Sequence, residues 1–168
     1  MALSEEIVPL SGTISHMDIA YMRLALEAAR EAAKLDEVPI GAIAVMNGKV
    51  IEAAHNDRER TKNPLGHAEL LLLQKIVEKK LLPSWRFDEV DVYVTCEPCL
   101  MCMGALLQAR VRRLVFGCHD KKAGACGSLY DLSNDPRLNH RIEVTSGVLA
   151  NECARLLSKF FSVLRRPK

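Results

Sequence analysis

Two short motifs, one on each side of residues 70–97, carry the side chains that most constrain how this chain can fold. The first is His67-Ala68-Glu69 and the second is Pro98-Cys99-Leu100-Met101-Cys102. Together they offer one imidazole nitrogen and two thiolate sulfurs to a metal ion, with a carboxylate beside them. If these groups serve one ion, the fold must bring both motifs to the same place.

The donor set predicts a catalytic zinc site. Three protein ligands, His67, Cys99 and Cys102, leave a tetrahedral zinc with one open position, which is typical of catalytic rather than structural sites. A water in that position loses a proton near neutral pH and becomes a nucleophile. Glu69 is not needed as a ligand, so its carboxylate is free to carry protons.

Glu69 has a simpler alternative role as a favourable negative charge in the first turn of a helix. Residues two apart on a regular helix point to nearly opposite sides. His67 and Glu69 therefore reach one site only if they lie at the irregular tip of the helix, which is a condition of the hypothesis.

Cys96 extends the spacing to Cys96-x-x-Cys99-x-x-Cys102, which superficially resembles an iron–sulfur run. The Cys-Pro that such a run needs three residues later is missing from the sequence. A structural zinc with Cys96 as fourth ligand would leave Glu69 without a role. We therefore expect Cys96 to lie outside the metal site. The remaining cysteines lie among apolar or small residues and are expected to be buried thiols: Cys118, Cys126 and Cys153.

The composition is that of an ordinary globular chain. The 168 residues are 49% hydrophobic and 26% charged, and no apolar run is long enough to span a membrane. Residues 1–18 lack the pattern of a targeting sequence, so we expect a cytoplasmic protein with reduced cysteines. We expect residues 1–17 to form a flexible tail and residues 18–168 a single domain. The net charge of +2 does not by itself indicate a nucleic-acid binder.

Hydrophobic periodicity and turn signals predict the element order α-β-β-α-β-α-β-β-α. The predicted elements are a helix from Ile19, capped by Asp18 and ending before Val38-Pro39; strands 40–45 and 50–54 around a turn at Asn47-Gly48; a loop over 56–66; a helix from His67 to about Lys80; strand 90–95; helix 99–110; strands 114–117 and 142–145; and a last helix capped by Asn151 with an apolar face at Leu156, Leu157, Phe160, Phe161 and Leu164. Strands joined by a tight turn are antiparallel, and strands separated by a helix are parallel. The pattern therefore predicts an α/β fold with three layers, α/β/α, and a five-stranded mixed sheet with helices on both faces. Both motifs then lie at helix N-termini, which favour thiolates.

The chain resembles the cytidine deaminase superfamily at these motifs, since H-x-E followed by P-C-x-x-C is the signature of its zinc deaminases. More narrowly, it resembles the bacterial tRNA-specific adenosine deaminases over nearly all of the sequence after residue 17. The segments that carry this resemblance are 37–42, Asn56, 96–102, 115–129, 138–141 and 152–161. Cys96 and Gly66 depart from the family's usual residues, but neither is a proposed ligand.

The resemblance implies a cytidine deaminase-like fold and one Zn²⁺ per subunit, held by His67, Cys99 and Cys102. It implies hydrolytic deamination of adenosine to inosine at the wobble position of a tRNA anticodon, with Glu69 as the proton carrier. The partner would be the anticodon stem–loop. Its target base must be splayed out into the pocket, and the free energy of unstacking the base is lowest in a single-stranded loop. The family is homodimeric. The apolar helix around Met101, Met103 and Leu106 could supply an interface or be core.

Three residues are candidates for substrate contacts. Asn56 is expected to hydrogen-bond the flipped nucleoside, with a turn-forming role as the alternative. Asp120 could accept a hydrogen bond from a ribose 2′-OH, and Lys122 could meet a phosphate. The terminal Arg165, Arg166 and Lys168 could also contact phosphates or be only solvated. Phe160 and Phe161 are expected in the core.

Two other functions remain open on the sequence. One is a deaminase of a free base or nucleoside such as guanine, cytosine or cytidine. The other is a non-catalytic zinc module that binds RNA. The loop 120–129 and the basic last helix favour the tRNA enzyme, and the presence of Glu69 favours catalysis.

Overall fold

The computed structural model describes residues 12–164 of the chain, which form a mixed sheet of five strands with helices on both faces. The elements are α1 (His16–Lys34), β1 (Gly41–Met46), β2 (Lys49–His55), α2 (Arg58–Thr61), α3 (Ala68–Glu78), β3 (Val90–Cys96), α4 (Leu100–Gln108), β4 (Arg113–Cys118), β5 (Glu143–Thr145) and α5 (Ala150–Leu164). The strand order is β2-β1-β3-β4-β5. β1 runs antiparallel to β2 and β3, whereas β3, β4 and β5 are parallel. The predicted mixed sheet and its strand directions are confirmed.

Two apolar layers cover the two faces of the sheet. Val92 and Val94 face the side on which α3 and α4 pack, whereas Tyr93 faces the side of α1 and α5. Every residue of β3 is buried, because this strand has a neighbour on each edge and a helical layer on each face. The predicted α/β/α layering is therefore confirmed, and β3 is the central strand of the sheet.

The hairpin between β1 and β2 forms at Asn47-Gly48, as the sequence predicts. Asn47 has a φ of 52° and Gly48 a φ of 72°. Positive φ at both central residues is the geometry of the tight turn whose twist matches that of the flanking strands.

The start of α1 differs from the prediction. The N-cap is Ser15, whose side chain accepts from the backbone N–H of Asp18, while the Asp18 carboxylate accepts from the N–H of Ser15. Asp18 therefore lies in the first turn, and the helix includes His16 and Met17 of the predicted tail. Residues 1–11 of that tail lie outside the described part of the chain.

The predicted loop 56–66 contains the short helix α2. The buried carboxylate of Glu37 accepts hydrogen bonds from the backbone N–H groups of Arg58 at 3.1 Å and Arg60 at 2.6 Å. These N–H groups begin the helix, and their acceptor is distant in sequence. Local sequence signals could not predict the helix for that reason.

The last helix also differs from the prediction. It begins at Ala150, so Asn151 lies within its first turn rather than at the cap. Leu156 and Leu157 pack partly against the core, but Phe161 and Leu164 are exposed. The predicted contacts of Arg165, Arg166 and Lys168 lie outside the described residues.

The helix α4 is buried along one side, while Leu100 at its start is 48% exposed. Met103 and Leu106 are fully buried in the core of this chain, so they cannot supply the intersubunit contact considered for them. Within residues 12–164, no helix is both long and apolar enough to cross a membrane.

A buried ion pair lies at the amino end of β4, away from the two motifs. Asp18, only 1% exposed, accepts hydrogen bonds from Arg113 at 2.8 and 3.0 Å and from the Tyr93 hydroxyl at 2.8 Å. Burial works to raise the pKa of Asp18, but the bonds from Arg113, the Ser15 N–H and Tyr93 outweigh it and lower the pKa to about 2. This pair connects α1, β3 and β4.

We predict that Asp18→Asn destabilises the fold by about 2 kcal/mol near neutral pH. A depressed carboxyl pKa contributes stability above the pKa of the unfolded chain, and this contribution is lost as pH falls towards 2. The difference in free energy of unfolding between wild type and variant should therefore shrink between pH 4 and pH 2. Urea unfolding at several pH values measures it, and a difference independent of pH would contradict the assignment.

Candidate active site

His67 lies at the N-cap of α3, with the extended backbone angles φ −83° and ψ 145°. Its carbonyl accepts the first helical hydrogen bond, from Leu71 at 3.0 Å. Because His67 has extended backbone angles and lies before the first helical turn, its imidazole lies near the Glu69 carboxyl instead of on the opposite side of the helix. The condition that His67 and Glu69 lie at the irregular tip of the helix is met.

Cys99 takes the matching position at the N-cap of α4, and Cys102 lies in the first turn of that helix. The Cys99 carbonyl accepts from the Met103 N–H at 2.8 Å. Both motifs therefore lie at helix N-termini, as predicted, and the N-terminus of each helix is directed at one point beyond the carboxyl end of β3. The positive ends of two helix dipoles favour thiolates and other anions there.

The three predicted ligands converge. The Nδ1 atom of His67 lies 3.7 Å from the Cys99 sulfur and 3.6 Å from the Cys102 sulfur. The three ligand atoms lie within 4.8 Å of one another, and this is the group among residues 12–164 that could hold a metal ion. Nitrogen and sulfur bound to one tetrahedral zinc are about 3.5 Å apart, since Zn–N is about 2.0 Å and Zn–S about 2.3 Å. The observed spacing fits such an ion.

The electrostatics of the thiols agree with this fit. The hydrogen bond from Cys102, opposed by burial and helped by His67, lowers the pKa of Cys99 to about 3. The pKa of Cys102 is raised, because its thiol donates to Cys99 and is buried. The bond with Cys99 raises the pKa of His67. Two sulfurs and one imidazole thus compete for protons around one position. A single cation at that position would interact favourably with all three groups.

Glu69 follows His67 in the first turn of α3 and is 4% exposed. Burial raises the pKa of its carboxyl above the ordinary value. The carboxyl lies within hydrogen-bonding reach of the Cys102 thiol. A carboxyl that borders the three ligands without being one of them is suited to exchange protons with a group at the same point.

Cys96 lies outside the cluster, as expected. It is the last residue of β3 and pairs in register with Cys118 on β4. The hydrogen bond with Cys118, together with burial, raises the pKa of Cys96. Cys118, Cys126 and Cys153 are buried free thiols, which confirms that part of the sequence analysis.

Asn56 lies at the end of β2 and is buried. Its Oδ1 accepts from the backbone N–H of Ala68 at 2.9 Å, and its own N–H donates to Ile40 at 3.0 Å. Asn56 therefore holds the first residue of α3 beside the start of β1. This occupies its side-chain oxygen and leaves the Nδ2 group as the part that could meet a substrate.

Asp120 and Lys122 lie in the loop 119–128 that follows β4. The Asp120 Oδ1 accepts from the N–H groups of Lys122 at 2.9 Å and Ala123 at 3.2 Å, so the carboxylate stabilises a turn in the loop. Gly124 of this loop pairs with Cys99, which brings the loop beside the metal ligands. Lys122 is exposed.

Glu97 has a structural importance that the sequence analysis missed. It is buried immediately before Pro98, and it accepts hydrogen bonds from the backbone of Asp120, Cys126 and Ser128. Burial works to raise the pKa of Glu97, but the Ser128 hydroxyl and these N–H groups outweigh it and lower the pKa. One signal could have revealed it: a carboxylate directly after a buried strand needs several donors.

Comparison with known proteins agrees with this geometry. The MafB19-like deaminase family matches residues 16–165. The tRNA-specific adenosine deaminase of Bacillus subtilis is 45% identical over 151 residues, covering 90% of this chain and 92% of the relative. That of Haemophilus influenzae is 43% identical over 155 residues, covering 92% and 88%.

Solved structures show the same fold. One, from a study of A-to-I editing by tRNA:A34 deaminases at the wobble position of transfer RNA, has a TM-score of 0.77 and 38% identity, covering 82% of this chain and 99% of that one. A guanine deaminase from Nitrosomonas europaea has a TM-score of 0.71 and 23% identity, covering 90% and 87%. At that identity the second likeness concerns the fold alone.

We predict that Cys99→Ala abolishes stoichiometric metal binding, with affinity falling by well over ~100-fold, because one of three ligands is lost. Cys96→Ala is the matched control, since it removes a buried thiol three residues away that is outside the cluster. Metal content of the purified proteins, measured by atomic absorption, distinguishes them. Equal loss of metal from both variants would contradict the assigned ligand set.

Proposed function

This chain belongs to the MafB19-like deaminase family and, within it, to the tRNA-specific adenosine deaminases, and we propose on this premise that it converts adenosine to inosine at the wobble position of a tRNA anticodon. The reaction is hydrolytic: water replaces the amino group at C6 of the purine, and ammonia leaves. The observation that carries the chemistry is the convergence of His67, Cys99 and Cys102 beside the buried Glu69. The tRNA substrate is inferred from the relatives, which are named tRNA-specific adenosine deaminases.

The metal is proposed to be one Zn²⁺ per chain, held by His67, Cys99 and Cys102. The mixed sulfur and nitrogen donor set and the 3.6–3.7 Å spacing support this identity. Zinc bound there supplies a Lewis acid that lowers the pKa of water towards neutrality.

Glu69 is proposed to carry protons during the reaction. Its carboxylate takes a proton from the attacking water and delivers it to the purine ring nitrogen, which makes C6 more electrophilic. Glu69 then passes a second proton, taken from the new hydroxyl on C6, to the amino group; the C6–N bond breaks, ammonia leaves and the C6 carbonyl of inosine forms. The burial of Glu69 keeps bulk water from competing for the carboxylate, and its place in the first turn of α3 keeps it beside the metal ligands.

Three residues are proposed to bind the substrate. The Nδ2 group of Asn56 donates to the flipped nucleoside, while its Oδ1 holds the N–H of Ala68. The second carboxylate oxygen of Asp120 accepts from a ribose 2′-OH, and the exposed Lys122 meets a phosphate. The position of the loop 119–128 beside Cys99 supports these assignments.

The two alternative functions are less well supported. A guanine deaminase shares the fold at 23% identity, whereas the named tRNA enzymes are 36–45% identical over most of the chain. A non-catalytic RNA-binding module would not need a buried carboxyl beside the ligands.

The proposal extends to assembly and location. We infer a homodimer, by likeness to the family. The exposed Leu65, just before the first motif, and Leu100, within the second, are available for such a contact. A tRNA substrate implies work in the cytoplasm. Residues 18–168 are proposed to act as one deaminase domain.

We predict that Glu69→Gln lowers the rate of inosine formation by about 10²- to 10⁴-fold, because the amide cannot exchange the proton. The assay uses an anticodon stem–loop carrying adenosine, and parallel incubations with free guanine and cytidine report ammonia. Metal content should stay at the wild-type level, because Glu69 is not a ligand. A variant that keeps zinc and full activity would exclude this mechanism.

Glu78→Gln is the control for this experiment. Glu78 is the last residue of the same helix, where it accepts from Gln74 at 3.0 Å on the surface. Its rate should equal that of wild type. Turnover of a free base without any inosine in the stem–loop would reject the tRNA function in favour of the first alternative.

We further predict that Lys122→Ala weakens binding of the stem–loop and reduces its salt dependence. Loss of one phosphate contact to a single strand lowers the slope of log K against log salt concentration by roughly 0.7. Binding titrations at several salt concentrations measure this slope. Lys49→Ala, in the hairpin between β1 and β2, is the control and should leave the slope unchanged; an unchanged slope for Lys122→Ala as well would exclude the phosphate contact.

A further inference from the structure

The Glu97 carboxylate is a buried acceptor surrounded by donors, with no exposed side-chain surface (0%). Its Oε1 accepts from the N–H groups of Cys126 at 3.0 Å and Ser128 at 2.9 Å. Its Oε2 accepts from the N–H of Asp120 at 2.9 Å, from the Ser128 hydroxyl, and from Nδ1 of His119 at 3.2 Å. Hydrogen bonds to an ionised acceptor are stronger than neutral ones, so these bonds hold Glu97 and its donor residues firmly together.

All of these donors lie in the loop 119–128, whereas Glu97 lies in the turn that leads to Cys99. The same turn is joined to the loop through its backbone: the Pro98 carbonyl accepts from the Ala125 N–H at 2.8 Å. Gly124 passes so close to the Glu97 carboxylate that a Cβ there would overlap it. The loop and the metal-binding turn are therefore packed together around one carboxylate.

The orientation of Asp120 depends on this contact. Its N–H donates to Glu97 while its side chain stabilises the turn with Lys122 and Ala123. Neither the Glu97 carboxylate nor any donor in the loop is one of the three metal ligands. A change at Glu97 should therefore affect the loop more than the metal.

We propose that Glu97 is a positioning residue: it holds the loop 119–128 against the metal-binding turn and so sets the affinity for the single-stranded RNA that this loop contacts. The inference rests on the proposed function, because it assigns that loop to the substrate. It predicts a change in KM at nearly constant kcat and constant metal content.

Glu97→Gln tests this with little change in shape. The Oε1 side meets only N–H donors, so the amide oxygen of glutamine will take that side and keep Cys126 and Ser128 bound. The amide NH₂ then faces the Oε2 side, where the Ser128 hydroxyl can accept but the Asp120 N–H cannot. The variant thus releases the Asp120 end of the loop in particular.

Steady-state kinetics on the adenosine stem–loop, with the zinc-loaded full chain, give the result. We expect KM to rise by roughly tenfold, as one charge-assisted hydrogen bond is lost and one donor is left unpaired. We expect kcat to stay within about threefold and zinc content to equal that of wild type. Ser128→Ala removes the hydroxyl donor alone and should raise KM by about threefold.

Asp18→Asn is the matched control for stability, because it also neutralises a buried carboxylate but at the amino end of β4, away from Glu97. It should lower the melting temperature without raising KM. If Asp18→Asn raises KM as much as Glu97→Gln, the effect is general destabilisation and the positioning role is wrong.

Two further outcomes overturn the proposal. One is loss of zinc and of kcat in Glu97→Gln at unchanged KM, which would make Glu97 a support of the metal site. The other is unchanged KM in both Glu97→Gln and Ser128→Ala; if Glu97→Gln does not fold, Ser128→Ala decides alone. Failure of the wild type to form inosine would instead reject the proposed function, so the two failures are distinguishable.

Discussion

The site depends on two helix N-termini that meet beyond the carboxyl end of one buried strand. Metal ligands on different segments must converge to within a few ångströms, and two N-caps achieve this because an N-cap residue is extended and lies outside the helical turn. His67 and Cys99 both take that position, and Cys102 follows in the first turn of α4. The sheet makes the convergence possible, since β3 is buried on both faces and ends where both helices begin.

Buried carboxylates connect the segments around this point. Glu97 joins the metal-binding turn to the loop 119–128, and Glu37 begins the short helix α2 before His67. Asn56 has a similar role with its amide, which holds Ala68 beside the start of β1. Each side chain is buried and each accepts backbone N–H groups that would otherwise be unsatisfied. The cost of burying such groups is offset only when every partner is in place, which makes the geometry of the site specific.

This arrangement separates the tasks of the proposed reaction. The two cysteines and the histidine are held by helices packed in the core, whereas Asp120 and Lys122 lie on a loop. With the proposed metal ligands on helices and the proposed substrate contacts on a loop, substrate recognition can change through the loop without altering the chemistry.

The sequence alone determined the element order apart from α2, the strand directions, the hairpin, and the choice of His67, Cys99 and Cys102 as a group that could hold a metal ion. These follow from local patterns: hydrophobic period, Asn-Gly turn chemistry, and the spacing of His67, Cys99 and Cys102. Only the tertiary structure decided the roles of Glu37 and Glu97, the helix α2 and the burial of Met103 and Leu106. Those features depend on partners far apart along the chain, such as Glu97 with Ser128 or Glu37 with Arg60. A carboxylate becomes a buried acceptor only when folding has brought its donors around it, and no local pattern records that event.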